Sequence, residues 1–497
     1  MYHIRKTKTA SNATAVQVVC YVKRKVKLAR HIGSGHSTEE IEKLLKIAQA
    51  WVKKESKQKT LFAENDQTKN TFTLLNKCQY LGVRYSFIYE ILTKLLNHFE
   101  FTTIGSSLLH DLIIMRIIEP ASKLKSLELL EEYFGIIQRR QTFYETLPKI
   151  LKLKDAVETL TVNFAQTKLA FDFSLVFYDV TTLYFESFSA DELRKNGFSK
   201  DSKSQQPQIV IGLMVTDQGF PVAYEVFPGN KFEGHTLIPV VKDFKDKHKI
   251  PTLTVVADAG MISMENVKAL KENGLQYIVG ARLGNITLKA LRGISSELGS
   301  QNNATMRTTT VYGDLICSFS KKRYAKDKRE MEKQIKKAKE LLEKPKEAKR
   351  TKFLKNIDKT KYEINEALIE KTQLLLGIKG YYTNLTSVDN QTIISHYHNL
   401  WHVEQAFRVA KNDLESRPIF HFKEDAIRVH MLICFMALAI SKYMEIKTDK
   451  SLEQIIRSLK KVTDARLLNT LTNEEFVMRT EISDEVKNIL EKLHLSY

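Results

Sequence analysis

Thr252-Leu-Thr-Val-Val-Ala-Asp258-Ala-Gly-Met261 is the stretch on which the fold of this chain turns. Its apolar, β-branched run suits a short strand covered on both faces, as in the sheets of α/β proteins. The run stops at an aspartate followed by two small residues, and ligand sites in α/β sheets gather at such strand ends. A lone aspartate there is commonly a turn former or a helix cap. A second strand lies upstream, Leu175-Val-Phe-Tyr-Asp179-Val-Thr-Thr-Leu-Tyr-Phe185, and Asp179 interrupts it where an apolar residue is expected. Two aspartates set into apolar strands predict an α/β fold with an acidic site.

A third carboxylate comes from Tyr397-His-Asn-Leu-Trp-His-Val-Glu404-Gln-Ala-Phe-Arg408-Val-Ala-Lys411, which reads as a helix. Residues seven apart on an α-helix lie nearly in line, drifting about 20° per heptad. Tyr397, Glu404 and Lys411 therefore predict a phenol, a carboxylate and an ammonium on one stripe. A solvated helix face gives such a stripe by chance, but with Asp179 and Asp258 the functional reading outweighs it. Three converging carboxylates, Asp179, Asp258 and Glu404, can hold two Mg²⁺ or Mn²⁺ ions about 4 Å apart. Tyr397 and Lys411 would then position phosphates beside the reacting one. Glu186, Asp201 and Glu225 compete for the metal site, and Asp172 reads as a strand-edge residue. His396, His398 and His402 cluster, but the absence of HExxH and of a nearby cysteine disfavours zinc.

Composition sets the class of partner. The 497 residues suffice for two or three domains. Lys and Arg number 77 against 58 Asp and Glu, a net charge of +19, and such an excess draws a polyanion, nucleic acid first. No apolar run is read as approaching the roughly 20 residues that span a bilayer, which excludes a membrane. The start, Met1-Tyr-His-Ile-Arg-Lys-Thr-Lys8, has no apolar core of signal-peptide length. Cys20, Cys78, Cys317 and Cys434 form no CxxC pair, which predicts neither a disulfide framework nor structural zinc, and a reducing cytoplasm.

The organisation predicted is as follows. Residues 1–60 hold a β-hairpin, over 14–33, and a Lys-rich helix capped at Ser37 and Thr38. Residues 85–170 are mainly helical, broken at Glu119-Pro120, and carry Arg116, Lys123, Lys125, Arg139 and Arg140 as a candidate DNA-binding face. A solvated basic face explains these charges equally well. Residues 172–282 run as three strands, then helix, strand, helix, strand. An insertion at 283–379 has strands over 305–320 and a charged helical hairpin over 322–372, broken at Pro345. Residues 380–446 return to the main domain through a strand at Tyr381 and an apolar core helix over 424–446. Residues 447–497 read as a tail of small helices.

These motifs resemble the DDE transposases of bacterial insertion sequences, in the branch marked by a Tyr-x2-Arg-x3-Glu-x6-Lys signature, the type-four insertion-sequence group. Tyr397, Glu404 and Lys411 match that signature; Leu400 stands at its Arg, and Arg408, one turn beyond Glu404, is the candidate to supply the charge. The resemblance continues through Tyr178-Asp179-Val-Thr-Thr-Leu-Tyr-Phe-Glu186, Gly197-Phe-Ser-Lys-Asp201, Phe227-Pro-Gly-Asn230, Ala257-Asp258-Ala-Gly-Met261 and Arg417-Pro-Ile-Phe-His421. It implies a ribonuclease-H-like catalytic domain, a mixed sheet flanked by helices, built from 172–282 and 380–446. It also implies cut-and-paste transposition: nicking at the element end, hairpin formation and opening, then strand transfer into target DNA. The implied partner is double-stranded DNA, from transposon ends and target, held by a homodimer in the bacterial cytoplasm. Two other readings stay open: a catalytically inactive DNA-binding descendant, and a two-metal nuclease that cuts without rejoining.

Overall fold

The computed structural model describes residues 2–22, 25–55, 77–198, 205–261, 263–343, 351–358 and 361–496. The chain divides into two compact units, Met1–Leu81 with Leu467–Phe476, and Gly82–Arg466 with Val477–Tyr497.

In the first unit strands β1 (Tyr2–Lys8), β2 (Thr14–Val22) and β3 (Lys25–Gly35) form an antiparallel sheet. The expected hairpin thus gains a strand. Helix α1 (Thr38–Glu55) packs on it, with Val16, Val18 and Ala48 buried between them. Ser37 Oγ accepts from the Glu40 amide, and Glu40 accepts from the amides of His36 and Ser37, so Ser37 caps the helix and Thr38 is its first residue.

The second unit begins, after strand β4 (Cys78–Arg84), with five helices. They are α2 (Ser86–His98), α3 (Ser107–Ile118), α4 (Lys123–Phe134), α5 (Arg140–Leu151) and α6 (Lys154–Leu169). Helix α3 is apolar nearly all round, which places it in the core; Ser106 caps its start and Glu119, the residue before Pro120, ends it. Then follow β5 (Leu175–Tyr184), β6 (Gln208–Val215), β7 (Pro221–Pro228), α7 (Leu237–Lys247), β8 (Thr254–Ala257), α8 (Met264–Glu272) and β9 (Gln276–Gly280). Helix α9 (Leu288–Leu298) leads to β10 (Thr305–Thr310) and β11 (Gly313–Phe319), and then to α10 (Lys321–Glu343). Strands β12 (Leu354–Asp358) and β13 (Lys361–Ile364) pair, and α11 (Glu366–Leu374) precedes β14 (Ile378–Thr383). The charged region is therefore helix, hairpin, helix rather than two helices, and Pro345 lies outside the described residues. The chain closes with α12 (Asn390–His398), α13 (Trp401–Arg408), α14 (Glu424–Thr448), α15 (Leu452–Lys460), β15 (Asp464–Asn469), β16 (Glu474–Arg479) and α16 (Asp484–Lys492). The expected all-helical tail contains two strands.

One eight-stranded sheet organises this unit, in the order β10-β11-β14-β9-β8-β5-β6-β7. Strands β5, β6 and β7 are successive antiparallel neighbours, while β5, β8 and β9 run parallel. Counted from β5, the order is 3-2-1-4-5, the mixed sheet of a ribonuclease-H-like domain, and β14, β11 and β10 extend it antiparallel past β9. Helix α14 is long and apolar enough to cross a membrane, which corrects the reading that no run approaches that length. It is 89% buried over its most apolar stretch and packs against α3, α5 and β7. Each fully buried Leu, Ile, Phe or Met along it contributes about 1.5–3 kcal/mol, which makes it the spine joining helices to sheet.

Candidate active site

Tyr178 on β5 stands opposite Ala257 on β8, and the next residues are Asp179 and Asp258. The two aspartates therefore sit at one level on neighbouring parallel strands, about 5 Å apart at the backbone. Asp179 is half-buried and pairs across to Leu213 of β6, while Asp258 ends its strand and is exposed. The alternation that puts Tyr178, Val180 and Thr182 on one face of β5 puts Asp179 on the other.

Tyr397 comes to this pair from the last turn of α12. Its Oη donates to Asp258 Oδ1 at 3.2 Å. Burial pushes the phenol well above its ordinary pKa, and the charge of Asp258, the hydrogen bond to it, and the nearby Tyr381 and Asp179 push the same way. Tyr397 is thus a neutral, fixed donor. Its reach depends on Gly280 at the end of β9: a Cβ there would lie 2.5 Å from Tyr397 Oη. A Cβ on Gly260 would lie 3.4 Å from Glu233 Oε2, 3.8 Å from Arg282 Nη2 and 3.9 Å from Asp258 Oδ2, so these three groups converge on that turn.

Glu404 is exposed on α13, whose buried residues Val403, Ala406 and Phe407 seat the helix on β5 and β6. Lys379, on β14, feels the charges of both Asp258 and Glu404. Burial first, and Arg323 second, lower its pKa, while the two carboxylates oppose them. Its Nζ lies 4.6 Å from the centre of the Tyr397 ring and 5.7 Å from that of Tyr381. A cleft of about 610 Å³ opens beside Asp258, Gly280, Tyr397 and Lys379, and Arg323, Lys352 and Lys371 bring further cations to its wall.

The single stripe expected of Tyr397, Glu404 and Lys411 is not one helix. α12 ends at His398, α13 starts at Trp401, and Val409–Asp413 form a π-helical turn that carries Lys411. The break falls where Leu400 turns inward, 7% exposed, into the core. Lys411 lies beside Thr181 and Leu183, on the Asp179 face but further along β5. Arg408 is exposed and acts on Asp413, where its charge opposes the upward push of burial on that carboxyl.

Among the competing carboxylates, Glu225 is paired with Lys154 at 3.1 Å and Arg428 at 3.8 Å, Glu186 accepts from Gln206, and Asp201 lies outside the described residues. Asp172 holds Ser174 at the start of β5. His398 meets the Tyr381 hydroxyl and His402 packs beside Gly219, so the helix break sends them to different neighbours. Among the described residues no three Asp, Glu, His or Cys side chains come close enough to hold one metal ion. The Asp179–Asp258 pair nevertheless fits a hard divalent cation, which takes oxygen donors and commonly binds one or two carboxylates with water and substrate phosphates. Lys379, Arg323, Glu233 and Gly280 escaped sequence reasoning, because each arrives from a different element with no local motif.

The family model described as Transposase DDE domain matches residues 171–440, which is over half the chain and spans β5 to most of α14. No curated protein matches. Among seven matching solved chains is the cryo-EM structure of the piggyBac transposase synaptic complex with hairpin DNA. It has a TM-score of 0.39 at 10% identity and covers 76% of this chain and 77% of that one.

Proposed function

The chain belongs to the family of transposase DDE domains, and we propose that it is an insertion-sequence transposase that cuts the ends of its element and joins them to target DNA. The observation that carries this reading is the placement of Asp179 and Asp258 on adjacent parallel strands, with Tyr397 holding one oxygen of the second. In this reading Asp179, Asp258 and Glu404 are the catalytic carboxylates and would hold Mg²⁺ or Mn²⁺, two ions in all. The bound metal supplies an activated oxygen nucleophile and charge for the leaving oxygen.

The protein's own residues do the rest. Tyr397 fixes Asp258 through Oδ1, and Asp258 lines the cleft. Lys379, Arg323, Lys352 and Lys371 line that cleft and supply phosphate contacts that set the DNA backbone in register. Arg408 at the end of α13 and Lys411 on the π turn after it add further cations, and Arg408 stands in for the charge that Leu400 lacks. Hairpin formation, a homodimer bringing two ends together, and action in the bacterial cytoplasm belong to the same proposal.

The test is divalent-ion-dependent cleavage of the element's own end DNA by the wild type and by Asp258→Asn. Cleavage that is lost in the variant, with end binding retained, supports the reading. Binding without cleavage by either protein sinks it in favour of a DNA-binding descendant, and cleavage without strand transfer reduces it to a nuclease.

A further inference from the structure

A second charged site lies at the far end of β5. After the π turn the chain runs through Leu414 to Arg417 and bridges Ile419 to Phe185, just past the end of β5. Phe185 lies six residue steps along the chain from Asp179, so this place is about 20 Å from the catalytic aspartates. A cavity of about 180 Å³ opens there, with Arg116 of α3, Lys123 of α4, and Arg417, His421 and His430 on its wall.

Two of its cations, Arg116 and Lys123, are buried without a counter-charge among the described residues. Arg116 is 5% exposed and Lys123 7%. The Arg116 guanidinium meets only carbonyls, donating to Leu414, Glu415 and Ala121, and its Nε has no partner. Lys123 Nζ contacts His430 Nδ1 at 3.3 Å, and His430 Nε2 faces the Ser416 carbonyl at 3.2 Å. Among the described residues neither Arg116 nor Lys123 makes an ion pair. The one carboxylate on the cavity wall, Glu415, is an exposed residue. The start of α4, capped by Ser122, adds the positive end of a twelve-residue helix. Burying cations without a partner is costly, and natural proteins pair such charges.

We propose that this cavity is an anion site for a phosphoryl group, with Arg116, Lys123 and Arg417 as its cationic donors. The missing counter-charge is the ligand's. A DNA backbone phosphate and free inorganic phosphate share this chemistry. Exposed Tyr144 and Phe420 on the same cavity's rim offer apolar faces to what flanks the phosphate, which suits nucleic acid.

The probe is inorganic phosphate, read by thermal unfolding of the full chain at fixed ionic strength with chloride as control. Phosphate should raise the unfolding temperature of the wild type by several degrees. In Lys123→Met the phosphate concentration needed should rise at least tenfold, while the variant without phosphate melts no lower than wild type, since a buried unpaired charge has been removed. Arg417→Gln, at the half-buried mouth, gives the same readout should Lys123→Met fail to fold. Binding of duplex DNA as a function of salt then identifies the occupant. A log–log slope that falls by about one in the variants assigns the site to a DNA phosphate. An unchanged slope with the phosphate response lost assigns it to free phosphate. If the variants alter neither the phosphate response nor the slope, the proposal fails. The phosphate arm is independent of any transposition chemistry.

Discussion

Strand β5 joins two places of opposite charge that are built in opposite ways. Near its middle Asp179 stands beside Asp258 on the parallel neighbour, and Asp258 has a tyrosine hydroxyl as donor and Lys379 within electrostatic reach. Past its end Arg116 and Lys123 are enclosed and lack any counter-charge among the described residues. The acidic place is open and tuned by fixed donors; the basic place is closed and left unbalanced. An open carboxylate pair costs the fold little, whereas buried cations are sustained by the packing around them. Function at the first is therefore separable from stability, and at the second the two are coupled.

The sharpest way to break this contrast is Asp258→Asn. Divalent-ion-dependent cleavage should fall roughly a thousandfold or more, with the unfolding temperature within a degree or two of wild type. A large loss of stability would mean that the acidic place is structural as well. Gly280→Ala comes next: its methyl displaces the Tyr397 hydroxyl, which should cost roughly 1–3 kcal/mol and about ten- to a hundredfold in cleavage. In a Tyr397→Phe background the same change should cost less stability, and the double-mutant cycle measures that coupling. Additive effects would mean that Gly280 does not act through Tyr397.

The basic place predicts a pH signature. Burial first, then Lys123 and Arg116, lower the pKa of His421 to about 4. The unfolded chain, with a histidine near 6.5, binds more protons between these values, so this contribution is complete above about pH 6.5 and lost as pH falls towards 4. The loss is on the order of 3 kcal/mol, and His421→Gln should flatten it in unfolding curves across that range. His430, lowered by burial and the same cations, steepens the slope. The smallest effect expected is from Arg408→Ala, a several-fold drop in cleavage with stability unchanged; full activity would leave the charge at Leu400 unreplaced.

What could be read in the sequence was local. β5 and β8 announced themselves because both are short β-branched runs stopped or interrupted by an aspartate, and Ser37 and Pro120 marked helix ends through capping and backbone geometry. The hairpin of β12 and β13 was hidden because Lys355, Asp358 and Lys361 gave no alternation to set against the helical charge pattern on either side. The Tyr397–Lys411 stripe misled because heptad spacing assumes an unbroken α-helix, and the chain breaks at Leu400 and widens into a π turn at Val409. Lys379 and Gly280 became site residues only when β14 and β9 paired, which no window along the chain contains.

That late pairing has a consequence in time. Asp258 and Tyr397 are separated by 139 residues. At about 5–20 residues per second, a ribosome needs roughly 7–30 s to make the second after the first. For most of that interval the two strand aspartates have been synthesised without the phenol that fixes Asp258 or the lysine that feels its charge. The nascent chain therefore carries its two strand aspartates well before it carries a finished site, and competence for chemistry arrives only once Tyr397 and Glu404 have been made.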